Sequence, residues 1–509
     1  MVNSLTLLSK STRTMRGRSD LYGLFVILLA FFLTWFLASQ VGRANADVIE
    51  IAYNSIPSVD AAQVMMMDLQ VYDATQADWL SAAALADVHP CTLPPDYSHS
   101  VGMLSYHDCD SLKLPILQSL IYAQVRHAIQ NITFAGEATA LEHTQVGLTQ
   151  YFQASYAMQQ NYTSAVKAGL GVVHHQFLVQ AYIDYTDSEY VLKHRIALTP
   201  YDFPEKEETL PVCHVPGTNT TLSAAAWTQG SLQTSISCLE GINYDFLQAG
   251  YSDTISFLSQ SSLLTAGLSL GFVFILLVGF ARVVGMSKRP SVYSLLLVAG
   301  LLFAGIGCYS GYSTLSYLEG QHGAFHRLVI DDRVSIDALA RAAYTSTDAN
   351  ADESRFLIAA NYNDTAAMQE WGDDFKQNRK QVEYENSVEG GNITYHPLED
   401  QYYAGMVKYW NLYTTIDGQI RHAIAISNPN DPHRVLPAQT ISLGISNDAF
   451  AKYQYYVQAD WNLNHDDYVR TLGTIQSVLQ RSMVIVIAGL LLSGICTLIG
   501  RLLFGRKKL

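Results

Sequence analysis

Four stretches of the chain carry no charged residue and are long enough to cross a bilayer: 21–41 (LYGLFVILLAFFLTWFLASQV), 263–281, 291–310 and 483–500. An α-helix rises 1.5 Å per residue, so about 20 apolar residues span a hydrocarbon core of about 30 Å. The pattern predicts four transmembrane helices. Between the third and fourth spans the apolar positions switch to a 3.6-residue rhythm: Ile336, Leu339, Ala340, Ala343 and Tyr344 mark one helix, expected to continue directly from the third span. A second helix fits 364–386 until Gly390 and Gly391, a third 400–426 before SNPNDPHRVLP, and a fourth starts at Ser446-Asn447-Asp448 and runs into the last span. Segment 311–482 therefore reads as a four-helix bundle.

Segment 42–262 fits the same plan with two inserts, roughly 86–112 and 185–240, rich in Pro, Gly, Thr and Tyr, where strands can form. Local echoes point to a tandem duplication: Asn131-Ile132-Thr133-Phe134 is answered by Asn392-Ile393-Thr394-Tyr395, and MDLQVYDATQADWL from Met67 by IDALARAAYTSTDANADESRFL, each at a similar distance past its anchor. The expected fold class is an all-α membrane protein with two extracytoplasmic antiparallel helical bundles in tandem, ordered span, bundle, span, span, bundle, span.

Charge sets the expected orientation. Of 31 basic residues, 11 lie in three short segments with a single acid: 1–20, 282–290 (Arg282, Lys288, Arg289) and 501–509. The positive-inside rule puts these, and both termini, in the cytoplasm. The long segments hold the other 20 basic residues against 44 acids, which argues against nucleic acid or anionic lipid as an outer partner. Ala44-Asn45-Ala46 resembles a signal-peptidase site, but the preceding apolar run is longer than a signal h-region, so retention as an anchor is expected.

Of six cysteines, Cys308 and Cys496 fall in spans, while Cys91, Cys109, Cys213 and Cys238 share the first outer segment, an even number in an oxidising compartment. Two disulfides are expected. Neighbour pairing is the shortest of three connectivities, and spacing alone does not choose among them. A metal site would recruit His107 and His214, or His322 and His326 at i, i+4, but no CxxC or HExxH spacing supports one. No metal and no cofactor is expected.

The densest charge pattern is TDANADESRFL at 347–357. Asp348, Asn350 and Asp352 occupy positions 1, 3 and 5 of a calcium loop, yet position 6 is Glu353 where the turn needs Gly, and position 12 is Ala359 where a carboxylate should close the shell. Two other readings stand: a solvated helix face with Arg355 paired to Asp352 or Glu353, and a contact surface at the tip of a stalked bundle for a partner or ligand.

DANADESRFL, the N-I-T-[FY] motifs and the order of spans and bundles resemble the GlnX-like family of actinobacterial four-span membrane proteins. That resemblance implies a plasma-membrane relay of amino-acid availability, with a GlnH-type solute-binding lipoprotein outside and a PknG-type serine/threonine kinase inside. The Cys-bearing inserts depart from the family. With only short cytoplasmic segments, a separate effector must read the basic loop and tail.

No phosphate loop, nucleophile elbow or catalytic Cys–His spacing occurs, so an enzyme is not expected. A channel is disfavoured because the apolar cores hold no ionisable residue; their glycines, at 267, 271, 279, 300, 305 and 494, are expected at helix contacts. Direct binding of a small ligand near Arg333, Arg341 or Arg355 is the alternative to sensing through a binding protein, and a membrane scaffold or transport accessory the third reading. Membrane lipid is an implied partner, and a homo-oligomer is compatible with the sequence. Five N-x-[ST] sequons, at Asn131, Asn161, Asn219, Asn363 and Asn392, lie in the outer segments; they are compatible with a eukaryotic glycoprotein and are also expected by chance in Asn- and Thr-rich sequence, while the family resemblance implies a bacterium.

Overall fold

The structure is a computed structural model that describes residues 25, 28–30, 32–81, 88–94, 100–169, 171–197, 210–218, 220–286, 292–320, 323–393, 397–428, 431 and 433–506. It is all-α, about 87% helical. Helix α1 covers 32–50 and passes through a π-helical turn, Ile51–Ser55, into α2 (Ile56–Ser81). Next come α3 (Tyr106–Gln130), α4 (Glu137–Ala168), α5 (Val172–Lys193), the short α6 (Ala224–Trp227) and α7 (Leu232–Met286). The second half holds α8 (Val292–Leu318), α9 (Ala324–His326), α10 (Asp332–Asn361), α11 (Thr365–Asn392), α12 (Glu399–Ile426), α13 (Leu436–Ile441) and α14 (Asn447–Arg506).

The chain divides into two compact units. Unit 1 collects 1–51, 250–330 and 468–509; unit 2 collects 52–249 and 331–467. The two outer segments, expected as separate bundles, thus come together in one body.

Unit 1 is apolar. The helical stretches Leu232–Val278, Val298–Leu318 and Leu436–Cys496 each contain a window long and apolar enough to cross a membrane, which marks the chain as a membrane protein. Residues 21–24, 26, 27 and 31 of the first expected span lie outside the described residues. Its described part contributes Ala30, Leu33 and Leu37 to a core shared with Phe272, Leu276, Ala304, Cys308, Val486 and Leu490. Leu263, Leu270, Phe274, Leu302 and Val484 point outward, the reverse of a water-soluble bundle. Close helix contact is made at Gly489, where a Cβ would lie 2.8 Å from the Phe303 carbonyl oxygen and 3.1 Å from the Gly307 nitrogen, whereas four of the glycines expected at contacts, Gly267, Gly271, Gly305 and Gly494, meet nothing within 4 Å. The expected continuity of the third span with α10 is also corrected. Helix α8 stops at Leu318, Gly320 takes φ +91°, and the chain re-enters helix through α9 and a π-helical turn at Arg327–Asp331.

Unit 2 is built around α2 and α10, which pack on each other. Ala-rich α10 holds no Gly or Pro, so its local preference is strongly helical. With 27 of its 30 residues buried, it is enclosed on every side, and α2 buries 19 of 26. Around them lie two apolar cores. One centres on Leu69, Tyr151, Tyr185 and Trp227; the other on Trp371, Trp410, Tyr413 and Tyr453. The 28-residue α11 is capped by Asp364, whose carboxylate accepts from the Ala367 N–H at 3.0 Å, after a turn in which Asn363 takes φ 56°.

In element order α2, α3, α4 and α7 are followed by α10, α11, α12 and α14, and Asn131 and Asn392, which open the two N-I-T motifs, each stand where the second helix of their half ends. The motif has a mechanical job. In the first half the Ser58 hydroxyl donates to the Asn131 carbonyl at 3.3 Å; in the second the Asn392 amide donates to the Asp331 carbonyl at 2.6 Å and Ser335 Oγ at 2.8 Å. Both tie that loop to the first turns of the central helix. Among the described residues, the place of the 22-residue α5 is taken in the second half by the six-residue α13, a departure from the expected common plan. Both inserts hold strands. Val88–Thr92 pairs antiparallel with Ser100–Ser105 (β1, β2), and Cys213–His214 with Thr221–Leu222 (β3, β4). The disulfides are Cys91–Cys109 and Cys213–Cys238, each pinning one hairpin to a helix. With those thiols consumed, His107 Nδ1 donates to the Trp79 carbonyl at 3.0 Å, and His214 pairs with Asp245 at 2.6 Å. His326 pairs with Tyr251, and His322 lies outside the described residues.

Candidate functional site: a buried charged seam

The segment expected at a solvated tip lies in the middle of unit 2. Asp348, Asn350, Asp352, Glu353 and Arg355 are all buried, Asp352 and Arg355 completely. Placement on an exposed contact surface is therefore corrected. The calcium loop has no room either, because 348–359 is continuous helix. The physical reason is that α10 is covered on all faces, so its charged residues meet charges supplied by other helices instead of water.

Arg355 is the hub. Its Nη2 bonds Asp73 on α2; Nη1 lies 2.9 Å from Asp348 and 2.5 Å from Asp352; and Nε lies 3.0 Å from Glu189 on α5 without the alignment of a hydrogen bond. The Trp371 ring sits 5.1 Å from the guanidinium carbon. Lys193, at the end of α5, adds a second cation 3.1 Å from Asp348, 3.2 Å from Asp352 and 3.2 Å from Asp374. Asn378 on α11 donates to both Asp348 (3.0 Å) and Asp352 (2.9 Å), and Tyr151 donates to Asp73 at 2.8 Å. Five carboxyls thus face two cations. The surplus of acids shifts their titration: burial raises Glu189 well above the usual carboxyl range and raises Asp352 to about 6, while Lys193 and Arg355 hold Asp348 down at about 2 against the cost of its burial.

The seam continues along the α2–α10 contact. Arg333 pairs with Asp60 and, at 2.6 Å, with Asp337. Gln63 bridges Asp337 at 2.8 Å and Glu240 at 2.9 Å, and the Ser354 hydroxyl donates to Asp78. Glu353 turns away from Arg355, accepting from Ser442 at 2.6 Å and Ser446 at 2.9 Å in the π-helical turn Ser442–Ser446 before α14, and burial next to Asp417 raises it to about 8. The pairings between α2 and α10 all join the first half of the chain to the second.

Sequence reasoning picked out the α10 side of this cluster but missed Asp73, Glu189, Lys193, Trp371 and Asn378. One signal was present: Asp73 lies in the MDLQVYDATQADWL stretch that echoes α10 in sequence, and α2 and α10 pack on each other. Of the basic loop expected in the cytoplasm, Arg282 falls near the end of α7, and Lys288 and Arg289 lie outside the described residues. Cavities open in unit 2 among the described residues. One, of about 310 Å³, is bounded by the ends of α2 and α10 with His174 and His433; another, of about 470 Å³, lies beside Arg341. Among the described residues, no group of three or more His, Cys, Asp or Glu could hold a metal ion. Comparison with protein-family models, curated proteins and solved structures finds no match.

The charge balance of the seam makes its stability sensitive to mutation and to pH. Arg355→Ala strands four buried carboxyls and should cost about 3–5 kcal/mol in denaturant titration of the purified protein, whereas Asp374→Ala, at the half-exposed edge, should cost about 1 kcal/mol or less. Asp68, Asp78 and Glu389 are raised to about 7 by burial, and Glu353 to about 8. A carboxyl raised in the folded state opposes folding increasingly as pH climbs from the unfolded value, roughly 4, to the folded one. Asp348 has the opposite sign, its stabilisation present above about 4 and lost towards about 2. The melting temperature should therefore peak near pH 4–5 and fall steadily to about pH 8, which calorimetry across that range reads directly.

Proposed function

We propose that the protein is a transmembrane signal transducer that relays extracellular nutrient availability to a cytoplasmic effector. In this reading residues 21–41, 263–281, 291–310 and 483–500 are four spans of the plasma membrane, both termini lie in the cytoplasm, and unit 2 is the extracytoplasmic sensory part. The observation that carries the reading is that α7 and α14, of 55 and 60 residues, each run as single helices from residues of unit 2 into apolar stretches of unit 1. A helix passes axial displacement along its length, and shifts of one to two ångströms are enough for signalling. The seam supports a two-state element, since a buried cluster with fewer cations than carboxyls can be rebalanced by small changes in charge or packing. Following the resemblance in the sequence, the outer partner is a solute-binding lipoprotein and the inner one a Ser/Thr kinase reading Arg282, Lys288, Arg289 and the basic tail. Docking of the lipoprotein falls to surfaces other than the buried 348–355 segment.

The test asks whether the seam is felt at the inner face. Spin labels at Ala281→Cys and Leu498→Cys, in a Cys308→Ser, Cys496→Ser background, report the spacing of the α7 and α14 ends. Arg355→Lys should shift that distance distribution by about 1–2 Å. An unchanged distribution in a folded variant would remove the coupling on which the reading depends.

A further inference from the structure

The cavity beside Arg341 has the makings of a ligand site. It has a volume of about 470 Å³, within the range of small-molecule pockets, and is lined by Thr218, Tyr244, Asp337, Arg341, Gln381 and Tyr384 among others. Its shape depends on the second disulfide insert. The β3–β4 hairpin, fastened by Cys213–Cys238, lays Gly217 over the Arg341–Glu385 pair so closely that a Cβ would lie 2.8 Å from Arg341 Cδ, and its φ of +72° also selects glycine. Gln381 fixes the tip by donating to the Gly217 carbonyl at 3.2 Å and to Glu385 at 2.6 Å.

The polar groups lining the cavity are incompletely used. Arg341 is 9% exposed and spends only Nε, on Glu385 at 3.0 Å; its two Nη atoms have no hydrogen-bond acceptor among the described residues. Two Nη groups in one plane match a carboxylate. Four residues earlier, one turn along the same face of α10, Asp337 lies 1% exposed with Oδ1 bonded to Gln63 and Arg333 and Oδ2 without a donor. Both groups line the same cavity, one short of an acceptor and the other of a donor. The surrounding charge narrows the class further. Arg333 and Arg341 are already matched by Asp60, Asp337 and Glu385, with Glu240 close by, so a bare anion would add to an acidic surplus. A ligand bearing both charges adds none.

We propose that this cavity binds a small zwitterion, its carboxylate on the Arg341 Nη pair and its ammonium towards Asp337, between the Tyr244 and Tyr384 rings. The assignment deepens the sensory reading of unit 2 and rests on it for its meaning: the ligand would bridge the Cys213–Cys238 hairpin of the first half and helices α10 and α11 of the second.

Titration calorimetry on the full chain in lipid nanodiscs, with glycine, β-alanine and 4-aminobutyrate as probes and butyrate and butylamine as single-charge controls, tests this. At least one zwitterion should bind, and neither control should match it. Arg341→Lys keeps a cation for Glu385 but removes the fork, and should weaken binding about tenfold or more. Thr218→Trp, an exposed substitution at the cavity mouth, should block binding while leaving the ligand-free melting temperature in place. Failure of all three zwitterions, equal binding of butyrate, or affinity unchanged in both variants would overturn the assignment. None of these outcomes touches the spin-label result, so the site and the transducer reading fail separately.

Discussion

A guanidinium with no access to water, surrounded by carboxyls from three helices, is the constraint on which unit 2 depends. Arg355 cannot shed its charge, so wherever it is buried the fold must bring acids to it. Asp73 and Glu189 come from the first half of the chain, Asp348 and Asp352 from its own helix. Neither half supplies enough partners alone. That dependence explains why two long segments, 52–249 and 331–467, form a single body: α10 without α2 and α5 would hold an unpaired buried cation, and α2 and α5 without α10 would hold unpaired buried acids.

Such a seam is a poor way to gain stability, since well-packed apolar residues would do at least as well. What it provides is register. Arg333 on Asp60, Gln63 on Asp337, Ser354 on Asp78 and Arg355 on Asp73 fix the α2–α10 contact at several points along its length, and a slip by one turn would misplace all of them. Burial raises both Glu189 and Asp352, which places this arrangement near a different charge state.

Much of the architecture was legible in the amino-acid order. Apolar runs located the three helical stretches long and apolar enough to cross a membrane, 3.6-residue periodicity located the starts of α11, α12 and α14 to within a few residues although α11 runs on through Gly390 and Gly391, and the neighbour pairing of Cys91 with Cys109 and Cys213 with Cys238, the shortest of the alternatives, is the one found. What the order could not disclose was the inside of α10. Charge density normally marks a solvated face, and Asp348, Asp352, Glu353 and Arg355 fit that rule until their long-range partners are known. Those partners lie as far as 282 residues away in sequence, beyond any local pattern. The break after α8 escaped for a different reason: Gly320 interrupts an otherwise helical rhythm, and a single glycine does not announce whether it is tolerated within a helix or ends it.

The claim that the two halves are one cooperative body joined by the charged seam is tested most directly by native-state hydrogen exchange of the full chain. Backbone amides of α2 and α10 should share a single, highest opening free energy, and in Arg355→Ala both should fall together by the same amount. Protection lost from α10 alone, with α2 exchanging as before, would mean that the halves fold independently and that the seam is not what joins them.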